Sequence, residues 1–253
     1  MHAFDAALQT SGLFFGRAAK SPIESLLDQL GPDARAWWTT YDPSRPADPG
    51  IALSSGNVQS WTDQIGGYVI SAPAAGQRPA YATDGSNFGG RSVVQTNQTG
   101  TKYLTGAVSG LLTAGQRAYV LMVGRYRGAT GVPVALQLDV VSAGDGLYHY
   151  LTGGQFRAFH ESTFAGMSAD TAQHVWEWWL DGTSLNHKKE STLVQTATSA
   201  SLAANIGTVT VGNVGAGGGI SSFSCAEIIV LASYPGATIE AQLMAAERAK
   251  WAI

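Results

Sequence analysis

The 253-residue chain predicts an all-β protein: an antiparallel β-sandwich with one short helix ahead of it and one helix behind it. Three observations carry that prediction. Hydrophobic residues make up 45% of the chain and charged residues only 13%, a balance that fills a sizeable core and argues against disorder. The 31 glycines are spread without a collagen-like period, as tight turns between many short strands require. Apolar segments of strand length recur, separated by GATG, SAGDG and GAGGG. Single sandwiches reach about 200 to 250 residues, so one main domain accounts for the length.

The first element is a helix starting at Ser21-Pro22-Ile23-Glu24: a capping hydroxyl, proline at the first helical position and Glu24 three residues after the cap. Gly31 and Pro32 stop it. Residues 1–33 are therefore expected to form an arm and short helix, docked on their own domain or on a neighbouring subunit, ahead of a sandwich over residues 34–253. Strands follow in RAYVLMVGRY (117–126), VPVALQLDVV (132–141), LYHYLTGGQFRAFHE (147–161), HVWEWWLDGTSLNHKK (174–189), TVTVGN (208–213) and FSCAEIIVL (223–231). Gly153-Gly154 is a candidate hairpin turn. Asp181-Gly182 is the strongest hairpin signal; as a two-residue turn it would pair Leu180 with Thr183 and Trp178 with Leu185. The final segment, IEAQLMAAERAKWAI, repeats Ile239, Leu243 and Ala246 at helical spacing; Thr238 is the expected cap, and the helix is expected at the sandwich edge.

Composition also narrows function. A net charge of −3, with Lys188-Lys189 as the sole basic cluster, gives no electrostatic footprint for nucleic acid. The single cysteine, Cys225, excludes an intrachain disulfide and reads as a small buried hydrophobe. No segment approaches the 18 apolar residues of a membrane span, so no membrane partner is expected. The start, MHAFDAALQTSGLFFGRAAK, lacks a basic n-region and a long apolar stretch, so export by the general route is not expected.

Several blocks then align with a known pattern: AWWTTYDPS (36–44), NVQSWTDQIGG (57–67), RPAYATDGSNFGGRSVVQTNQTGTKYLTG (78–106), the WLDGTSL hairpin, and AEIIVLASYPGATIEAQLMAAERAKWAI (226–253). With these the chain resembles the LamG-like jelly rolls of the concanavalin A-like lectin and glucanase superfamily. The resemblance implies a jelly-roll sandwich opened by the first block, followed by a W-x-D-x-x-G pattern, and closed by a strand running into a helix ending in K-W. It marks the fold better than the activity. DARAWWTTYDPSRPADPG is also similar to a stretch in phage tail and other virion proteins. The expectation drawn from it is a lectin-like bacteriophage structural protein in the virion (fibre, spike or decoration subunit). It would attach to other virion proteins through residues 1–33, bind a cell-surface glycan for host attachment, and work as a homo-oligomer, since multivalency strengthens weak sugar contacts. A glycan hydrolase or lyase and a structural cement protein are the alternatives.

Candidate sites are weighed against that expectation. Glucanases of the superfamily carry E-x-D-x-x-E or E-x-D-x-E, and neither occurs here; Glu177 and Asp181 are four apart and Asp181 belongs to a turn, so no catalytic residue is assigned and no enzymatic activity is expected. The histidines at 2, 149, 160, 174 and 187 form no H-x-x-x-H or H-x-H pair, so no metal site is assigned, although a hairpin over 147–161 could bring His149 and His160 together. Calcium stays open: Asp84, Asn87, Asp139 and Asp145 supply oxygens without forming a D-x-D-x-D-G loop. GNVGAGGGISS lacks a G-K-S/T ending and reads as a loop, not a phosphate cradle. Asp42, Trp61 and Asp63 read as hydrogen-bonded corners. Sugar recognition needs flat apolar rings beside planar polar groups. Two places offer them: Trp179 with Glu177 and Asn186, on the hairpin face opposite Trp176 and Trp178, and Tyr148 with Tyr150, near Arg157 and Glu161, on alternate positions of one strand.

Overall fold

The computed structural model describes residues 19–44, 49–96, 102–128, 134–140, 146–152, 154–160, 163–197, 201–212 and 222–253. The arm over 1–18, Asp145, Glu161 and most of the GNVGAGGGISS segment lie outside them.

Helix α1 (Pro22–Leu30) starts as the sequence predicts: the Ser21 hydroxyl accepts from the Glu24 amide at 3.1 Å, and Gly31 ends the helix at φ 54°. Seventeen strands follow among the described residues. The first seven are β1 (Ala34–Thr39), β2 (Ile51–Ser54), β3 (Asn57–Thr62), β4 (Val69–Ser71), β5 (Ala80–Thr83), β6 (Ser92–Gln95) and β7 (Leu104–Ala107). The longer ones are β8 (Tyr119–Tyr126), β9 (Val134–Val140), β10 (Leu147–Thr152), β11 (Gln155–His160), β12 (Thr163–Ser168), β13 (His174–Leu180), β14 (Ser184–Lys189), β15 (Thr192–Ala197), β16 (Ile206–Val211) and β17 (Phe223–Leu231). Helix α2 (Ala237–Trp251) closes the fold.

Every pairing is antiparallel, and the pairings define two layers. In the first, β15, β14, β13, β8 and β17 lie side by side, and β17 continues onto β6 at Ser224 and Cys225 and onto β1 from Glu227 to Leu231. In the second, β7, β16, β9, β10, β11 and β12 run in that order. Strands β2 to β5 join the layers along one side through β3, β4 and single bridges to β5 and β7.

The two layers differ in what covers them. Between them lies the main core, with Trp38, Trp61, Met122, Trp176 and Trp178 facing Leu136, Leu138, Leu147, Leu151 and Phe156. A second core lies on the outer side of the first layer, where Trp37, Tyr119, Val175, Trp179 and Ile229 meet Ile23, Leu26 and Leu27 of α1 and Leu243, Met244 and Trp251 of α2. Strands buried on both faces lose alternation. Accordingly, HVWEWWL and FSCAEIIVL are buried at every position, whereas LYHYLT and QFRAFH alternate buried and half-buried side chains. Among the described residues, the outer face of the second layer is thus the open broad face.

Two details correct the sequence reading, and a third, the packing of α1, adds to it. Helix α2 covers a face of the sandwich, not its edge, and begins at Ala237 with Gly236 at the cap position, so Thr238 lies inside its first turn. Ile23, Leu26 and Leu27 are already part of the second core, which makes α1 integral to the sandwich. The 180–185 hairpin pairs Leu180 with Leu185 and Trp178 with His187, two residues from the expected register. The Asp181 carboxylate explains the longer loop: it accepts from the amides of Thr183 (2.9 Å) and Ser184 (2.8 Å) and from the Asn186 side chain (3.0 Å). A shift of two leaves every side chain on its predicted face, because strands have period two.

Candidate functional site

The first expected sugar platform is sealed. Trp179 is 6% exposed, stacked on Tyr234 at 4.9 Å between centroids and tilted against Tyr119 at 6.0 Å. Glu177 is buried beneath α2, accepting from the Tyr119 hydroxyl with the Lys188 ammonium 3.7 Å away; burial pushes its carboxyl up, and those two partners pull it back. Asn186 is buried too, donating to Asp181 and accepting from Gln195. The side chains stand on the predicted face, but that face is buried: the helices that cover it come from distant parts of the chain.

The same cover explains the closing K-W motif. Glu227, in the middle of β17, accepts from the indole N–H of Trp37, from that of Trp251 (2.6 Å) and from Lys250 (2.7 Å). Glu247 lies beside it; burial, and then the Glu227 charge, push its carboxyl well above the usual range. Both glutamates are fully buried, so this pair fastens α2 to the sheet and is closed to a glycan. The corner residues behave as expected: Asp63 accepts from the amides of Ile65 and Gly66 at 2.8 Å each and of Tyr68 at 2.5 Å, Asp42 from the Ser44 amide at 2.9 Å, and the Trp61 indole donates to the Thr39 carbonyl at 3.0 Å.

The second expected platform lies on the open face. Tyr148 and Tyr150 point outward from β10 while Leu147, His149 and Leu151 fill the main core. Register places Tyr148 opposite Gln137 on one side and Phe159 on the other, and Phe159 opposite Phe164. Gln137 in turn faces Thr210, which faces Thr105. One row across six strands therefore runs from hydroxyls through an amide to three rings. Tyr148 stacks on Phe159 at 5.6 Å, Tyr150 meets Phe159 edge-on at 6.2 Å, and Phe164 is 43% exposed. Arg157, opposite Tyr150, lies over the Phe164 ring at 4.0 Å, its guanidinium steadied by the Gln155 side chain at 3.1 and 3.3 Å. The Tyr148 hydroxyl donates to Asp139 at 2.7 Å, and Gln137 donates to the other carboxylate oxygen at 2.9 Å. Burial, reinforced by that carboxylate, pushes the phenol well up, so it keeps its proton on Asp139 and offers its lone pairs outward. Phe159, Phe164, Gln137 and Gln155 were missed from sequence; the signal was their outward parity beside Tyr148.

Other expectations fall elsewhere. His149 faces Ala158, not His160, and its partner is His187. The His187 Nδ1–H must donate to the Ala165 carbonyl (2.9 Å), which leaves its Nε2 to accept from His149 Nε2–H (3.2 Å) and leaves His149 Nδ1 to accept from the Tyr126 hydroxyl (3.2 Å). This chain of neutral rings crosses the main core from one layer to the other. Burial drives His149 well below its ordinary range and His187 down to about 4. For calcium, Asp84 is bound to Arg125 (3.0 Å) and Ser224 (2.8 Å) on the first layer, while Asp139 belongs to the second. Among the described residues no group of three or more His, Cys, Asp and Glu is placed to hold a metal. Asp139 is the carboxylate on the open face among the described residues.

The fold has counterparts among solved structures. Domain 4 of AbnA, a GH43 extracellular arabinanase from Geobacillus stearothermophilus, in complex with arabinotriose, matches with a TM-score of 0.59 at 10% identity over 84% of this chain and 98% of that one. A GH54 α-L-arabinofuranosidase soaked with a cyclic sulfate inhibitor matches at 0.58 and 10%, over 77% of this chain and 51% of that one. Trypanosoma rangeli sialidase in complex with 2,3-difluorosialic acid matches at 0.57 and 8%, over 90% and 37%. The chain thus spans about half the length of the arabinofuranosidase and less of the sialidase. No family model matches the chain, and no curated protein matches it. At this identity the likeness shows the β-sandwich fold. The expectation of a chain without enzymatic activity does not stand against these matches: chains named as an arabinofuranosidase, a sialidase and an arabinanase share the fold, so the sandwich gives no ground for setting catalysis aside.

Proposed function

We propose that this chain is a carbohydrate-recognition module whose glycan lies on the open face of the second layer. The carrying observation is the register row in which Tyr148, Phe159 and Phe164 present rings beside Gln137, Asp139, Gln155 and Arg157. Rings cover the C–H side of a sugar while amides, a carboxylate and a guanidinium take its hydroxyls. The AbnA domain, matched over 98% of its own length and solved with arabinotriose, supports the reading. Tyr148→Ala and Phe159→Ala should each weaken retention in glycan affinity gels by roughly two- to tenfold, a ring contact being worth about 0.5–1.5 kcal/mol. Unchanged retention in both variants, with the thermal midpoint preserved, would remove the face from consideration.

A second reading, glycoside hydrolysis, is favoured by the hydrolase chains that share the fold. Asp139 is the described carboxylate a substrate on this face would meet. Release of reducing ends from arabinan or a sialoside, lost in Asp139→Asn, would establish it; intact glycans after prolonged incubation would leave recognition alone.

The virion setting is a further part of the proposal, supported by the WWTTYDPS segment. Capsid or tail genes beside this one would bear it out, and a polysaccharide-degradation operon would replace it. Attachment through the N-terminal region would then fall on residues ahead of α1, because Ile23, Leu26 and Leu27 are taken up by the second core. Homo-oligomerisation is read out by light scattering.

A further inference from the structure

The open face has a charged end, and among the described residues its charge has no ion-pair partner. Arg157 makes no ion pair among the described residues; its guanidinium touches the Gln155 amide oxygen and the Phe164 ring, both uncharged. The carboxylate on this face, Asp139, is committed to Tyr148 and Gln137, and register sets it away from Arg157: Tyr148 lies opposite Gln137 on one strand, while Arg157 lies opposite Tyr150, further along β10. The Arg157 Nε and Nη2 donate to Gln155, which leaves Nη1 and the second Nη2 proton as the fork that suits a carboxylate.

We infer that the face selects glycans carrying a carboxylate on the sugar ring, with that carboxylate bound end-on or bidentate by Arg157 and the sugar ring seated on Tyr148, Phe159 and Phe164. This rests on the glycan-recognition reading of the same face and adds its substrate class. The planar fork matches a ring carboxylate in geometry as well as in sign, and the neighbouring rings exclude water from one side of the pair, which strengthens it. Tyr148, with its proton on Asp139, takes a sugar hydroxyl at the opposite end and so fixes the direction in which the ring lies.

Uronic and sialic acids both carry this carboxylate, and matched probes separate them. In calorimetry on the full chain, trigalacturonate is compared with its trimethyl ester, and 3′-sialyllactose with lactose. The expected result is that the acid in at least one pair binds roughly tenfold tighter than its neutral partner, as a charge-assisted hydrogen bond warrants. Arg157→Met, which keeps the stem over Phe164, should bring acid and neutral partner to within about twofold of each other, and Arg157→Lys should restore part of the preference. Equal binding of acid and neutral partner in both pairs, or a preference that survives in Arg157→Met, overturns the inference while recognition of neutral glycan stands. Loss of all binding in Tyr148→Ala with the wild-type preference intact beforehand supports both readings. No binding of any of the four probes by the wild type overturns both.

Discussion

Acidification should unfold this protein from the inside, and the His149–His187 pair sets the size of the effect. In the unfolded chain both rings titrate near 6.5, whereas in the fold His187 is held at about 4 and burial holds His149 well below its ordinary range, because charging either ring would bury a cation and break a hydrogen bond. Above pH 6.5 neither state binds the protons and the pair has no pH dependence. As the pH falls from 6.5 toward 4 the unfolded chain takes up two protons that the native state refuses, so stability drops with the pH; below 4 His187 charges in the native state too and its share stops growing. By pH 4.5 each ring that stays neutral in the fold has cost about 2.5 kcal/mol, at about 1.4 kcal/mol per pH unit, or roughly 5 kcal/mol together. That rivals the whole stability of many domains, about 5 to 15 kcal/mol. The buried carboxyls Glu177 and Glu247 act in the opposite sense: burial raises both in the fold, so they favour it as the pH falls. The test is therefore a difference. Urea unfolding of the wild type and of His149→Gln/His187→Asn is followed by tryptophan fluorescence at pH 7.5 and 4.5, and the double variant, whatever its absolute stability, should lose about 5 kcal/mol less across that range. Parallel pH dependence of the two proteins would refute the neutral-relay assignment.

Two further predictions follow from the second core. Trp178→Ala and Trp179→Ala should both destabilise by roughly 3–5 kcal/mol in chemical denaturation, since one ring fills the main core and the other is stacked beneath α2; a neutral Trp179→Ala would show that the helix does not cover that ring. Lys250→Met should cost about 3–5 kcal/mol by stranding the Glu227 charge, and adding Glu227→Gln should recover part of it. A double variant no more stable than the single one would mean that the ammonium acts through packing alone.

How much was legible is clearest where two hairpins differ. LYHYLT and QFRAFH alternate, so their inward and outward residues could be sorted from sequence, and Tyr148 and Tyr150 stand on the open face as that alternation requires. HVWEWWL could also be sorted, and its two faces are correct despite a register two residues off. Its polar-looking face is nevertheless buried, because what covers it comes from far along the chain: Trp179 stacks on Tyr234, the Lys188 beside Glu177 reaches Glu240 of α2, and Glu227 takes Lys250 and Trp251 of the same helix. Helix α2 concealed the contact by burying Glu240 and Glu247 on the same stripe as Leu243 and Trp251. A carboxylate on a helix reads as solvent-facing until a lysine or an indole N–H is placed against it, and those partners come from long-range topology. The His149–His187 chain was hidden for the same reason: each histidine was visible at an inward position, but only the stacking of two layers brings them together.

The unequal cover of the two layers gives the molecule a back and a front. The last residues, packed into the second core through Ile253, sit at the back with both helices, while Tyr148, Phe159 and Phe164 are at the front. A bead, a chip or a neighbouring module coupled through the C-terminus would therefore hold the ring-bearing surface outward, and many copies side by side would all display it in the same direction.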